Sequence, residues 1–109
     1  MSIKLLFYKT SSGKSPVASF IDSLNEPTQT KVLHVIDQLE LYGSGLCFPL
    51  CKKVSKNLKE LRISGKQNVR IIYTFQNGRY FLLHAFIKKS QKLPRKEVKT
   101  ALARLAKLT

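Results

Sequence analysis

Two arginines, Arg62 and Arg70, stand on either side of a short polar stretch, residues 64–68 (SGKQN), in a chain of 109 residues. Three lysines, Lys88, Lys89 and Lys92, follow the next apolar run. A guanidinium is a planar fork that can hold two oxygens of one phosphate, and an ammonium adds a mobile point charge. The chemistry open to such a set is capture of an anion, phosphate above all. Only one acid, Glu60, lies near in sequence. Two arginines on adjacent strands with a single acid between them repel each other unless an anion is bound.

The bulk charge agrees with that reading. Residues 1–51 hold four basic and four acidic groups, whereas residues 52–109 hold sixteen basic groups and two acids, Glu60 and Glu97. The whole net charge of +14 therefore falls in the second half. A charge confined to one part of a folded chain is the footprint of a polyanion partner, most often nucleic acid. Hydrophobic content of 43% is that of a folded protein and argues against disorder. The length suits one domain over residues 1–109. No apolar run approaches the roughly 20 residues of a membrane helix, and the N-terminal run of ~5 has no cleavage site after it, so a cytoplasmic location is expected. Cys47 and Cys51 are spaced C-x3-C, with only His34 and His84 as further soft ligands. They are expected to be free thiols, with no metal and no cofactor.

The elements that must position the cations can be read by periodicity. Residues 3–8 (IKLLFY) suit a short buried strand. Ser15 and Pro16 open a helix as N-cap and first residue, with Val17, Phe20, Ile21 and Leu24 as its apolar stripe and residues 25–27 as its stop. A second helix over residues 28–42 buries Val32, Val35, Ile36 and Leu39 and ends at Gly43. Residues 47–57 read as irregular or as an edge strand, because Pro49 argues against a central one. Residues 58–63, 69–75 and 80–88 read as strands, the last two joined by Asn77 and Gly78 in a hairpin turn that needs positive φ. Pro94 can open a last helix with Val98, Ala101, Leu102 and Leu105 buried. The order β-α-α-β-β-β-α predicts an α+β fold: a small, mainly antiparallel sheet with helices packed on one face.

Strand alternation then assigns faces. Leu61 and Ile63 point one way and Glu60 and Arg62 the other. Ile71, Tyr73 and Phe75 oppose Arg70, Ile72 and Thr74. Phe81, Leu83, Ala85 and Ile87 are expected to form one apolar face, opposite Tyr80, Leu82, His84, Phe86 and Lys88. If the apolar faces meet the helices, Glu60, Arg62, Arg70, His84 and Lys88 emerge together. Tyr80 and Phe86 would interleave with them as base-stacking surfaces. His84 lies between apolar neighbours and reads as packed rather than catalytic. The charges of the last helix (Arg95, Lys96, Lys99, Arg104, Lys107) read as a solvated or RNA-facing surface.

The segments LKELRISGKQNVRIIYTF and YFLLHAFIKKSQKLPRKE resemble the RelE/HigB toxin superfamily, in particular its phage-derived branch. The motif L-x-E-L-R, a short loop, R-I-I-Y, a hairpin and H-x-F-x-K-K-x-x-K-x-P carry the resemblance, and the order of elements matches the RelE-like fold. The resemblance implies the toxin of a type II toxin–antitoxin pair that acts as a ribosome-dependent mRNA endoribonuclease. In such toxins the 2′-OH attacks the adjacent phosphate without a metal. It further implies Arg62, Arg70, Lys88, Lys89 and Lys92 as catalytic candidates, with the lysines as acid and base. Lys59, Lys66, Tyr80, His84, Phe86 and Arg95 are the candidates for contact with RNA. The implied partners are a cognate antitoxin, often a helix-turn-helix protein, and the ribosome with its mRNA. Operator DNA would be bound only as a complex with that antitoxin. Two departures stand out. Many relatives use a terminal Tyr or a His for acid–base work, whereas no Tyr follows Tyr80 here, and Leu93 stands where this branch has a Thr to cap the last helix. The competing readings are a ParE-like inhibitor of DNA gyrase and a nonenzymatic RNA- or DNA-binding module.

Overall fold

The computed structural model describes residues 4–46 and 49–108. Ile3, at the start of the first expected strand, and Cys47, the first half of the C-x3-C pair, lie outside the described residues. Along the chain run β1 (Leu5–Phe7), α1 (Pro16–Asp22), α2 (Glu26–Tyr42), a 3-10 turn (Gly43–Gly45), β2 (Cys51–Lys53), β3 (Lys59–Ile63), β4 (Val69–Gln76), β5 (Arg79–Ile87) and α3 (Arg95–Ala106). The α+β class and the order of elements are as expected, with β2 as the edge strand that residues 47–57 allowed. The strands form one five-stranded sheet in the order β1-β5-β4-β3-β2. Only β1 runs parallel, against β5; the other pairs are antiparallel.

Local chemistry explains the ends of the elements. Ser15 Oγ accepts from the Ala18 N–H at 3.3 Å, and Pro16 sits at the first helical position of α1. Asn25 ends nothing: its Oδ1 accepts from the Thr28 N–H at 2.9 Å and caps α2, with Pro27 inside the first turn, where a missing N–H costs little. The second helix therefore starts two residues earlier than periodicity suggests. Asn77 and Gly78 have φ of 54° and 74°, as the tight β4–β5 hairpin requires. Pro94 is the N-cap of α3 rather than its first residue, and no side chain caps that end. Ser90 Oγ donates instead to the Lys92 carbonyl at 3.0 Å.

Two apolar clusters lie on the two faces of the sheet. Val17 and Ile21 of α1 and Val32, Val35, Ile36 and Leu39 of α2 pack against Leu61, Ile63, Ile71 and Tyr73. On the other face Ala101, Val98 and Leu105 of α3 pack with Tyr8, Leu58, Ile72, Leu83 and Phe86. One helical face thus holds for α1 and α2, while α3 lies opposite. Leu102, expected in the stripe of α3, is exposed. Cys51 is a buried free thiol whose Sγ–H donates to the Leu46 carbonyl at 3.1 Å. Among the described residues no helix is long and apolar enough to cross a membrane.

The largest departure from simple alternation is in β5. Ile72 pairs with His84 but Tyr73 pairs with Leu82, which leaves Leu83 as an extra residue. Such a bulge resets the side-chain period. Tyr80, Leu82, Ala85 and the partly buried Ile87 accordingly join the α1–α2 cluster, and Leu83 and Phe86 join the α3 cluster. The expected apolar face of Phe81, Leu83, Ala85 and Ile87 is split between the two sides.

Candidate functional site

Arg62 of β3 and Arg70 of β4 are direct cross-strand partners. Facing residues in an antiparallel pair have Cβ atoms about 5 Å apart, and like charges so placed are destabilising. The register is set by Leu61 and Ile63, which must pair with Ile71 and Val69 to keep the α1–α2 core closed. Burying one apolar face fixes the two guanidinium groups together on the other.

Arg70 is only 6% exposed. Its Nη1–H donates to the Val69 carbonyl at 3.0 Å, and its buried Nε has no hydrogen-bond partner. Burial pushes the Arg70 pKa down from its ordinary value, the Arg62 charge pushes it further down, and Glu60 opposes both. Glu60 pairs across the sheet with Ile72 and is itself 3% exposed. Its Oε1 lies 3.8 Å from Arg62 Nε, and its Oε2 has no hydrogen-bond partner. One buried carboxylate thus stands against two cations, and the local charge is left positive.

A groove of about 450 Å³ opens beside this pair, lined by Arg62, Asn68, Arg70, Lys88, Lys89, Ser90 and Gln91. The Lys88 N–H donates to the Asn68 carbonyl at 2.7 Å, which ties the exit of β5 to the β3–β4 loop and brings both lysines to the arginines. Four cations, two amides and a hydroxyl around one open groove have the chemistry that can hold a phosphate group. Burial of Arg70 strengthens its attraction to an anion by excluding water.

The structure brings together Arg62, Arg70, Lys88 and Lys89. Lys92 and Arg95 are outside the groove lining. Lys66 lines a separate cavity with Lys31 and Gln67. Lys59 lies on the other face of β3, directly opposite Lys53 and Tyr73. Tyr80, expected beside the arginines, is turned by the β5 bulge into the α1–α2 cluster. Phe86 does share the face of Arg70, but α3 covers it, so its ring is not an open stacking surface. Asn68, Ser90 and Gln91 were not anticipated. They are loop residues, and only the contact between the two loops places them here.

His84 is engaged on both sides. Arg104 Nη1–H points to His84 Nδ1 at 3.2 Å and also donates to the Leu83 carbonyl at 2.8 Å. Because a guanidinium only donates, Nδ1 accepts and the ring proton sits on Nε2, which donates to Glu97 Oε1 at 2.7 Å. Arg104 also lies over the Tyr8 ring at 5.5 Å. This chain of contacts pins α3 to the sheet, in keeping with a packed histidine.

No curated protein matches the chain. One family description does, "Phage derived protein Gp49-like (DUF891)", over residues 19–106. That span runs from α1 to the end of α3 and includes both arginines, the hairpin and the lysines after β5. Covering most of the chain, the match shows that it belongs to the phage-derived Gp49-like family, within the RelE/HigB toxin superfamily.

Proposed function

We propose that this toxin-family protein is a metal-independent mRNA endoribonuclease that works at the ribosome. The observation that carries the reading is the facing pair Arg62 and Arg70 at the head of the cationic groove. In-line attack of a 2′-oxygen on its neighbouring phosphorus builds negative charge on the non-bridging oxygens. Fixed guanidinium groups stabilise that charge without having to reorganise, and each such group is worth about 10²–10³ in rate. As the new P–O bond forms, the bond to the 5′-oxygen breaks, leaving a cyclic phosphate and a free 5′-OH. One lysine amine takes the 2′-OH proton and a lysine ammonium returns one to the departing oxygen. That Lys88 and Lys89 line the groove supports them as the candidates for these steps. Membership of a toxin family implies a cognate antitoxin, and the groove is the surface that such a partner would cover to silence the protein.

The test is translation of a defined mRNA in a bacterial cell-free system with mapping of new 5′ ends. Cuts that need ribosomes, that carry a 5′-OH and that vanish when the cut nucleotide bears a 2′-O-methyl group are expected. Intact mRNA under conditions where the protein arrests growth would overturn the reading and make gyrase the next target to assay.

A further inference from the structure

A second like-charge pair exists, on the opposite face and at the opposite end of the sheet. Lys53 of β2 and Lys59 of β3 are direct cross-strand partners. As with the arginines, this placement costs stability unless an anion bridges it. Both lysines line a cavity of about 290 Å³ together with Lys56, Asn57, Phe75 and Tyr80. No acid is present among the described residues of its lining. Its position is held by hydrogen bonds. Thr74 Oγ1–H donates to the Asn57 carbonyl at 2.7 Å, and the Val54 and Ser55 N–H groups both donate to the Leu58 carbonyl. The β2–β3 turn that carries Lys56 is thereby fixed to β4.

The aromatic part is equally specific. Phe75 is 55% exposed at the end of β4. Its ring lies 4.8 Å from that of Tyr80, which in turn lies 5.8 Å from Tyr73. An exposed Phe packed against the buried Tyr80, which itself packs against Tyr73, offers a flat face. Beside three lysines, that face suits a base stacked next to its phosphate, the combination by which single strands are held.

We propose that Lys53, Lys56, Lys59 and Phe75 form a single-stranded RNA-binding subsite, separate from the arginine groove, with one base on Phe75 and the adjoining phosphate on the lysines. Tyr80, expected beside the arginines, and Lys59, a candidate for contact with RNA, meet in this cavity instead. The proposal concerns binding and does not depend on cleavage.

The experiment is fluorescence anisotropy of the full chain with a labelled, 2′-O-methylated single-stranded oligonucleotide, which can be bound but not cut. Phe75→Ala is expected to weaken binding by about 5- to 100-fold, and Phe75→Leu, which keeps an apolar side chain without a flat face, by a similar factor. Lys53→Gln with Lys59→Gln should flatten the log–log salt dependence by about 0.7 for each phosphate that the lysines no longer neutralise. Lys96→Gln with Lys99→Gln removes the same charge from α3 and should do less. Thermal melts establish that each variant is folded. Equal weakening by both lysine pairs, or wild-type affinity in both Phe75 variants, would overturn the proposal. So would binding of an oligoglutamate peptide in place of the RNA, which would give the cavity to an acidic protein segment.

Discussion

Glu60→Gln separates the two jobs that the buried carboxylate performs. Glu60 pairs with Arg62 and offsets the charge of Arg70, and it also repels any phosphate that comes to them. Its Oε1 is 3.8 Å from Arg62 Nε, which corresponds to about 4 kcal/mol of gross attraction at an effective dielectric of 20. The net figure is smaller, because the Arg62 side chain is 23% exposed and the contact is longer than a hydrogen bond. Removing one partner of a fully buried pair costs about 3–5 kcal/mol. For this looser pair, about 1–3 kcal/mol is expected. At about 4–8 °C per kcal/mol for a domain of this size, the melting temperature should fall by roughly 5–20 °C. Anion binding should move the other way. Glu60 pairs with one of the guanidinium groups that would meet a phosphate, so its charge repels the bound anion and its removal should tighten binding. The assay is thermal denaturation of wild type and variant with and without inorganic phosphate at constant ionic strength. The variant should melt lower without phosphate and gain more from it. Equal gains in both proteins, or a variant at least as stable as wild type without phosphate, would refute this account of Glu60.

Other outcomes follow from the same contacts. Arg104→Ala should loosen α3, through loss of its bonds to Leu83 and His84 and of its place over Tyr8, by about 1–3 kcal/mol; faster amide exchange confined to α3 would report it, and unchanged exchange would contradict it. Nitrogen chemical shifts of His84 should show the proton on Nε2, as its contacts with Arg104 and Glu97 require. Burial, and then its hydrogen bond with Cys51, push the Tyr73 pKa up from its ordinary value. A group whose folded pKa is raised contributes stability below its unfolded pKa and loses it as pH rises, so wild type should lose stability above about pH 10. Urea titrations should give a shallower loss for Tyr73→Phe, and parallel losses would exclude Tyr73 as a cause. Leu83→Ala, at the fully buried bulge, should cost about 2–5 kcal/mol in the same urea titrations.

Much of the fold was legible because local chemistry and global packing agree. Ser15 and Pro16 announce α1 through the capping bond and a proline that loses nothing there. Asn77 and Gly78 announce the hairpin through their positive φ. Strict alternation in β3 and β4 was enough to put Arg62 and Arg70 on one face, and the register made them neighbours. The site was less legible where the structure breaks a period or joins distant segments. One inserted residue, Leu83, reverses the alternation of half of β5, and that alone moved Tyr80 from the basic face into the core. An amphipathic stripe says that α3 packs, not on which face, so the covering of Phe86 could not be read. Glu60 was visible as the one acid near Arg62, but its 3% exposure and its unpaired oxygen belong to the assembled sheet, in which it sits between Lys52 of β2 and Ile72 of β4.

Whether Arg62 and Arg70 stabilise a reacting phosphate is decided by single-turnover cleavage of ribosome-bound mRNA. Arg62→Ala and Arg70→Ala, shown to be folded by their melts, should each slow cleavage by about 10²–10³. Arg70→Lys should recover only part of the rate, because it restores the charge without the fork. Wild-type cleavage rates in both folded alanine variants would contradict the account.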